Sequence, residues 1–244
     1  MKRIVIKFGG TSVGSIEKII NAAKIVKKRH EEGNEVIVVV SAMSGTTNDL
    51  INRSKEISDN FSKSELDVLL SSGEQISSSL LAGSIIDLGV KARSWMGWQI
   101  PIVTSDVHTS SQIMQIKTDE ILNFISQKGV AVVAGFQGVS KDIRITTLGR
   151  GGSDLSAVAI AKFFKTDSCE IYTDVDGVLT TDPFINNKAK KIDKISYEEM
   201  LEMASLGAKV MQPSAVQTAM AHNIPVHVRS TFSEKSGTKI ISED

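Results

Sequence analysis

The chain has 244 residues, 41% hydrophobic and 23% charged, enough for one large α/β domain or two small ones with a buried core. Lysine plus arginine and aspartate plus glutamate both number 28; that balance argues against a general binder of nucleic acid or anionic membrane but leaves room for a local basic site for a small anion. The single Cys169 excludes an internal disulfide and makes a reducing cytoplasm the simplest location, and no run reaches the ~18 apolar residues of a membrane span.

Residues 4–8 (Ile-Val-Ile-Lys-Phe) read as a first strand buried on both faces, ended by Gly9-Gly10-Thr11-Ser12. Lys7 cuts this apolar run short and no small-residue cleavage site follows, so it is not read as a signal peptide. Ile16, Ile19, Ile20, Ala23 and Val26 recur at helical spacing, giving an amphipathic helix to about His30, with Gly33-Asn34 as its stop. The β-branched run 36–40 is a central parallel strand, so the first forty residues form a right-handed βαβ unit. Residues 41–47 are a polar loop at its carboxyl end, the edge where open parallel sheets bind ligands.

A helix follows from about Asn48, then a polar break over 59–64 and one long helical stretch over 65–88. Serines and a glycine interrupt its middle at 71–75 and 77–79, so the helix ends, bends or packs closely beside a polar cleft. Residues 95–106 hold a short strand near Ile102-Val103, 105–118 read as irregular, 118–127 as helix, and 130–134 as a buried strand ending in Gly135-Phe136-Gln137-Gly138. A strand over 144–148 leads into Gly149-Arg150-Gly151-Gly152-Ser153-Asp154 and an apolar helix over 155–164. A strand over 170–173 precedes Asp174-Val175-Asp176-Gly177. Residues 188–194 form a basic, solvated connector, helices cover about 197–206 and 214–222, and 226–229 form a late strand. The alternation predicts a three-layer αβα sandwich on a mostly parallel sheet.

The stretch 149–154 organises the chemistry. Adjacent glycines let a ligand approach the backbone, a helix N-terminus directs N–H groups at it, and Arg150 adds a fork suited to carboxylate or phosphate. Asp154 fits if a lysine or metal cation is held there too. The alternative is a glycine-rich turn capped by Ser153 and Asp154. Strand ends at Lys7–Gly10, 41–47, 135–138, 149–154 and 173–177, taken to share one edge, would form a cleft with Lys7 and Arg150 as cations and Asp154 and Asp174 as anions. Phosphoryl transfer requires such a mixture. Other signatures fail: Ser15-Ile16 replaces the Lys-Ser/Thr of a P-loop, no Gly-x-Gly-x-x-Gly follows a strand, and no Gly-x-Ser-x-Gly is present. His30, His108, His222 and His227 lack metal-ligand spacing and read as surface or core residues, and no metal-ligating residue is assigned.

Taken in order, Lys7-Phe-Gly-Gly-Thr-Ser12, Ser72-Gly-Glu74, Gly149-Arg-Gly-Gly-Ser-Asp154, Tyr172-Thr-Asp-Val-Asp-Gly177, Thr181-Asp-Pro183 and Gly207-Ala-Lys209 resemble the aspartokinase catalytic domain of the amino-acid kinase superfamily. The resemblance spans nearly the whole chain. It implies one catalytic domain over 1–244 and transfer of the ATP γ-phosphoryl to the side-chain carboxylate of L-aspartate, with Mg²⁺, as the first step toward lysine, diaminopimelate, threonine and methionine. By position, Lys7, Gly9 and Gly10 contact the transferring phosphate and Asp154 orients the catalytic lysines. Ser41, Thr47, Glu74, Arg150 and Ser153 hold aspartate, Glu74 its ammonium and Arg150 its α-carboxylate. Thr173, Asp174 and Lys209 bind ATP. From the residues alone, Lys7 reads as a lysine snorkelling from a strand end and Glu74 as a solvated helix residue. The rival readings are another amino-acid kinase, acting on acetylglutamate or a similar acceptor, and a non-catalytic sensor subunit of the same fold.

The resemblance implies L-aspartate and ATP as partners, no nucleic acid or membrane, and leaves open a homo-oligomer or a separate regulatory chain. Most of the family continue into ACT-type regulatory modules; this chain stops at Asp244, which leaves open a fragment, a form without regulation, or regulation on another chain, and residues 1–244 alone are expected to be insensitive to lysine and threonine. Leu179 and Phe184 stand where the family usually places a tyrosine near the base and an arginine near the phosphates, so ATP binding is expected to be weaker than the family pattern unless Lys188, Lys190 or Lys191 compensates.

Overall fold

The computed structural model describes residues 1–181, 186, 188–208 and 210–243. In chain order the elements are β1 (Arg3–Phe8), α1 (Ile16–Glu31), β2 (Glu35–Val40), α2 (Thr46–Ile57), α3 (Lys63–Asp87), β3 (Ala92–Trp95), β4 (Ile102–Thr104), β5 (Ile113–Ile116), α4 (Asp119–Ser126) and β6 (Val130–Ala134). There follow β7 (Gln137–Val139), β8 (Ile145–Thr147), α5 (Gly152–Phe163), β9 (Ser168–Thr173), β10 (Lys194–Ser196), α6 (Tyr197–Ser205), α7 (Pro213–Ala221), β11 (Val226–Ser230) and β12 (Thr238–Ile241).

Eight strands form the main sheet in the order β10-β12-β11-β9-β1-β2-β6-β3. From β11 to β3 every pairing is parallel; β12 runs antiparallel to β11 and parallel to β10. Side chains of a strand alternate between faces, and here both faces are buried. Val5, Ile37, Val39, Ala131, Val133, Cys169 and Ile171 join a core with α4, α5, α6 and α7. Ile4, Ile6, Phe8, Val36, Val38, Val40 and Val132 join a second core with α1 and α3. The result is the expected αβα sandwich on a mostly parallel sheet. Among the described residues, no helix is long and apolar enough to cross a membrane.

The structure corrects the chain-order reading in three places. Residues 105–118 are not wholly irregular: β5 lies within them and pairs antiparallel with β4. β4, β5, β7 and β8 form a separate sheet in the order β5-β4-β7-β8. The strand before Gly149 therefore belongs to a β7–β8 hairpin of that sheet and not to the parallel sheet, so the five loops do not share one sheet edge. The connector 188–194 is not simply solvated, because Lys191 bridges to Leu179 and its Nζ meets the Gly237 carbonyl at 2.8 Å.

The serine-interrupted helix is continuous. In α3 the hydroxyls of Ser71 and Ser72 donate to the carbonyls of Val68 and Leu69, so they remain satisfied without breaking the helix. Small residues let it approach the loop after β2: a Cβ on Gly73 would lie 2.8 Å from the Ala42 Cβ. Of the three sequence alternatives, close packing beside a polar cleft is the one observed.

Candidate active site

Lys7 sits on the Val5 face of β1, the face on which α5 packs, so its side chain runs along the sheet toward that helix. Its Nζ lies 2.6 Å from Asp154 Oδ1, with side-chain exposures of only 11% and 10%. Asp154 is in the first turn of α5, whose N-cap is Gly151 in the left-handed region at φ 70°. A Cβ there would lie 1.9 Å from Gln212 Cγ, so only glycine fits. The N–H groups of Gly152 and Asp154 donate within this turn, and that of Ser153 has no backbone acceptor among the described residues. One amide of the first turn is thus left for an anion.

The glycine loop after β1 is built similarly. Gly9 N–H donates to the Tyr172 carbonyl at 3.3 Å, tying the loop to the end of β9, and Ser44 N–H donates to the Gly10 carbonyl at 3.2 Å. A Cβ on Gly10 would meet the Ala42 oxygen at 2.9 Å. The N–H groups of Gly10 and Thr11 have no backbone acceptor among the described residues. Ser12 is fully buried, its Oγ 2.6 Å from Thr231 Oγ1, and Thr231 N–H donates to the Thr173 carbonyl at 2.8 Å.

Glu74 is 3% exposed. Its Oε1 accepts from the Ala42 N–H at 3.0 Å, while the buried Oε2 has no partner among the described residues. Burial pushes its pKa up to about 7, against the opposing effect of the Ala42 N–H bond. A half-satisfied buried carboxylate is costly alone and well suited to an incoming ammonium. Ser41 adjoins it, its carbonyl accepting from Ser77 Oγ at 2.7 Å, and Thr47 lies in the first turn of α2. Ser153 packs under the Gly135 loop, where a Cβ would meet it at 3.1 Å. Arg150 is exposed and has no carboxylate partner among the described residues.

Thr173 ends β9 and Asp174 follows it, with Thr173 Oγ1 donating to Asp174 Oδ1 at 3.2 Å. Contacts thus connect the loops at Gly9–Ser12, 41–47, 135–138, 149–154 and 173–177, although they arise from two sheets. Lys209, Phe184 and the Asp182-Pro183 pair lie outside the described residues. Of the three lysines considered near the phosphates, Lys191 is already engaged by Asp193 and the Gly237 carbonyl. Cys169 is fully buried in β9 and burial raises its thiol pKa, as suits a core residue.

Sequence reasoning missed Asp67, His108, Thr147 and Gln212. Asp67 is fully buried on α3 and lies 2.6 Å from His108 Nδ1. It precedes Glu74 by two helical turns on the same face, and that i, i+7 spacing of acids was the available signal.

The fold and site define a three-layer α/β domain whose cleft presents free amides, a buried Lys–Asp pair and an exposed arginine to an anion. The amino acid kinase family model matches residues 2–230, and the chain belongs to that family. It is 51% identical over 240 residues to an aspartokinase of Geobacillus stearothermophilus, a match covering 98% of this chain and 59% of that protein. It resembles the crystal structure of aspartate kinase from Synechocystis with a TM-score of 0.89 and 44% identity, over 99% of this chain and 40% of that one. It resembles E. coli aspartokinase III in complex with aspartate and ADP with a TM-score of 0.89 and 28% identity, over 100% and 65% of the two chains. The chain spans about 59% of the length of the Geobacillus relative.

Proposed function

We propose that residues 1–244 form one catalytic domain that transfers the γ-phosphoryl group of ATP to the side-chain carboxylate of L-aspartate, giving 4-phospho-L-aspartate and ADP, in the biosynthesis of the aspartate-derived amino acids. The observation that carries this reading is the buried Lys7–Asp154 ion pair, at 2.6 Å, between loops in which the amides of Gly10, Thr11 and Ser153 have no backbone acceptor among the described residues. Similarity to aspartokinases over the whole chain supports the choice of acceptor.

A carboxylate acceptor is already ionised near neutral pH, so the reaction needs no general base. An acceptor oxygen attacks the γ-phosphorus, the bond to the β,γ-bridging oxygen breaks, and ADP leaves with that electron pair. The barrier is repulsion between two anions. Lys7 and the amides of Gly10 and Thr11, beside Gly9, neutralise the transferring group, and Asp154 holds the Lys7 ammonium in place. The free Glu74 oxygen takes the substrate ammonium, and Arg150 takes the α-carboxylate with help from Ser41, Thr47 and Ser153. Thr173, Asp174 and Lys209 hold the nucleotide. Magnesium, when bound, supplies charge neutralisation on the phosphates. Exposed Asp174 would meet a metal carried in on a nucleotide, which requires only one or two protein carboxylates, whereas the Asp154 oxygens are engaged by Lys7 and the Gln212 N–H.

The test is ADP formation that requires both L-aspartate and Mg²⁺, with hydroxylamine trapping the acyl phosphate as aspartyl hydroxamate. Turnover with N-acetylglutamate and not with aspartate overturns the assignment. That outcome is disfavoured because an acetylated nitrogen carries no charge for the buried Glu74 carboxylate.

A further inference from the structure

The long helix α3 reaches the site twice. Glu74 faces the loop after β2; Asp67, two turns earlier, faces residues 108–109 and the end of β8. Asp67 is 0% exposed. Its two oxygens receive the Thr109 N–H at 3.1 Å each and the Thr147 Oγ–H at 2.5 Å, and Oδ2 lies 2.6 Å from His108 Nδ1. Thr109 adopts φ 66°, a region that a β-branched residue enters only under strain and keeps only where surrounding contacts impose it. The bifurcated bond from its N–H to Asp67 is such a contact.

The clamped segment bears directly on the arginine loop. Ser111 donates both its N–H, at 3.0 Å, and its Oγ–H, at 2.8 Å, to the Thr147 carbonyl. A Cβ on Gly149 would lie 3.2 Å from the Thr109 carbonyl oxygen, so residues 109–110 pack against the backbone immediately before Arg150. Gly149 is itself left-handed, at φ 77°. Arg150 is exposed and tethered by no ion pair among the described residues. Its guanidinium can therefore be positioned only through the backbone that carries it, and that backbone is braced by Thr147 on one side and Thr109 on the other.

We propose that Asp67 is a positioning residue for acceptor recognition: by fixing His108, Thr109 and Thr147 it sets the arginine loop at the height where Arg150 meets the α-carboxylate of the acceptor. This rests on the reading of Arg150 as an acceptor-binding residue. The device acts on binding of the acceptor and not on transfer, because none of its groups joins the Lys7–Asp154 pair or the nucleotide loop.

The experiment uses the full chain. First, aspartate-dependent ADP formation by the parent is measured; its absence defeats the assignment of aspartate as acceptor and leaves the structural half of the proposal to hydrogen exchange. In Asp67→Asn one oxygen acceptor is lost, and in Thr147→Val the hydroxyl is lost at nearly constant volume. KM for aspartate is expected to rise about tenfold or more in the first and several-fold in the second, with kcat and KM for ATP changed less than about twofold. Thr147→Ser keeps the hydroxyl and should behave as the parent. Amide exchange at 107–112 and 148–151 should accelerate in both damaging variants and not in Thr147→Ser. If Asp67→Asn does not fold, the Thr147 pair decides alone. Unchanged KM for aspartate despite faster exchange, a fall in kcat alone, or exchange unchanged in the damaging variants overturns the proposal.

Discussion

Lys7 and Arg150 carry the same charge in opposite settings. Lys7 is almost enclosed and paired with Asp154, whereas Arg150 is exposed and without an ion pair among the described residues. In the proposed reaction Lys7 would face charge that develops during transfer, and Arg150 a carboxylate that does not change, so their losses should read out differently. Lys7→Ala should lower kcat by about 100-fold or more and also strand a buried Asp154, costing about 3–5 kcal/mol of stability. Arg150→Ala should chiefly raise KM for aspartate, by the ~10- to 100-fold that corresponds to one charge-assisted partner of about 1.5–3 kcal/mol. Steady-state kinetics with urea unfolding checks both, and a KM change alone in Lys7→Ala contradicts its role. Glu74 adds a pH signature. Burial raises its pKa from the ordinary 4.5 to about 7. Across that window the folded chain retains a proton that the unfolded chain has lost, so stability falls as pH rises and levels off above about 7. The folded state loses about 3 kcal/mol in this way. Glu74→Gln should therefore unfold at higher urea relative to the parent at pH 8 than at pH 4, and should flatten the improvement in aspartate binding that the parent shows as Glu74 ionises. An equal offset between the two proteins at both pH values counts against a buried, desolvated carboxylate.

At the scale of elements, α3 shows how a helix can be polar and buried at once. Gly73→Ala improves helix propensity by about 1 kcal/mol, yet the new methyl would meet Ala42 Cβ at 2.8 Å. Overpacking typically costs about 1–3 kcal/mol, so net destabilisation is expected, together with weaker aspartate binding as the loop carrying Ser41 shifts. Equilibrium unfolding and KM for aspartate check this; a stabilised variant would show that α3 and the loop are not in contact. The same helix marks the limit of what the amino-acid order conveys. Strands buried on both faces, such as β1, β2 and β6, were legible because their apolar runs are nearly continuous and rich in β-branched residues. The small sheet was not, because β5 (Ile-Met-Gln-Ile) and β7 (Gln-Gly-Val) are short, mixed segments that hold only through pairing with distant partners. The residues alone suggest that Asp154 holds a cation, but the choice of Lys7 as its partner comes from resemblance, since residue type alone does not distinguish a buried lysine from a snorkelling one. Asp67 was overlooked for a similar reason: a helical aspartate ordinarily faces water, and only its partners across the fold reveal that this one does not.

For the whole molecule, charge balances at 28 of each sign, so under the proposed function the cleft must concentrate positive charge locally to accept a nucleotide and an acidic acceptor together. In the proposed reaction Arg150, on the loop that follows the small sheet, would serve the acceptor. Thr173 and Asp174, at the end of β9, would serve the nucleotide. Between them the Lys7–Asp154 pair connects the central strand to α5, and the Ser12–Thr231 contact connects the glycine loop to the segment after β11. Among the described residues no group of three or more His, Cys, Asp or Glu side chains could hold a metal ion by itself. Magnesium should therefore enter on the phosphates and leave the bare chain unaffected. Mg²⁺ alone is expected to shift Tm negligibly. ADP with Mg²⁺ at about 100 times Kd should stabilise by about 2.7 kcal/mol, a rise of roughly 5–10 °C for a chain of this size. Chelation should remove much of that rise at the same ADP concentration, because Lys7 and the amides then face unscreened phosphate charge. Aspartate added to the Mg²⁺–ADP complex should raise Tm further, since its carboxylates meet Arg150 and its ammonium meets Glu74. Differential scanning calorimetry of the four conditions checks the scheme. A large shift with Mg²⁺ alone would mean a preformed metal site, and an ADP shift indifferent to chelation would mean that protein cations alone neutralise the nucleotide.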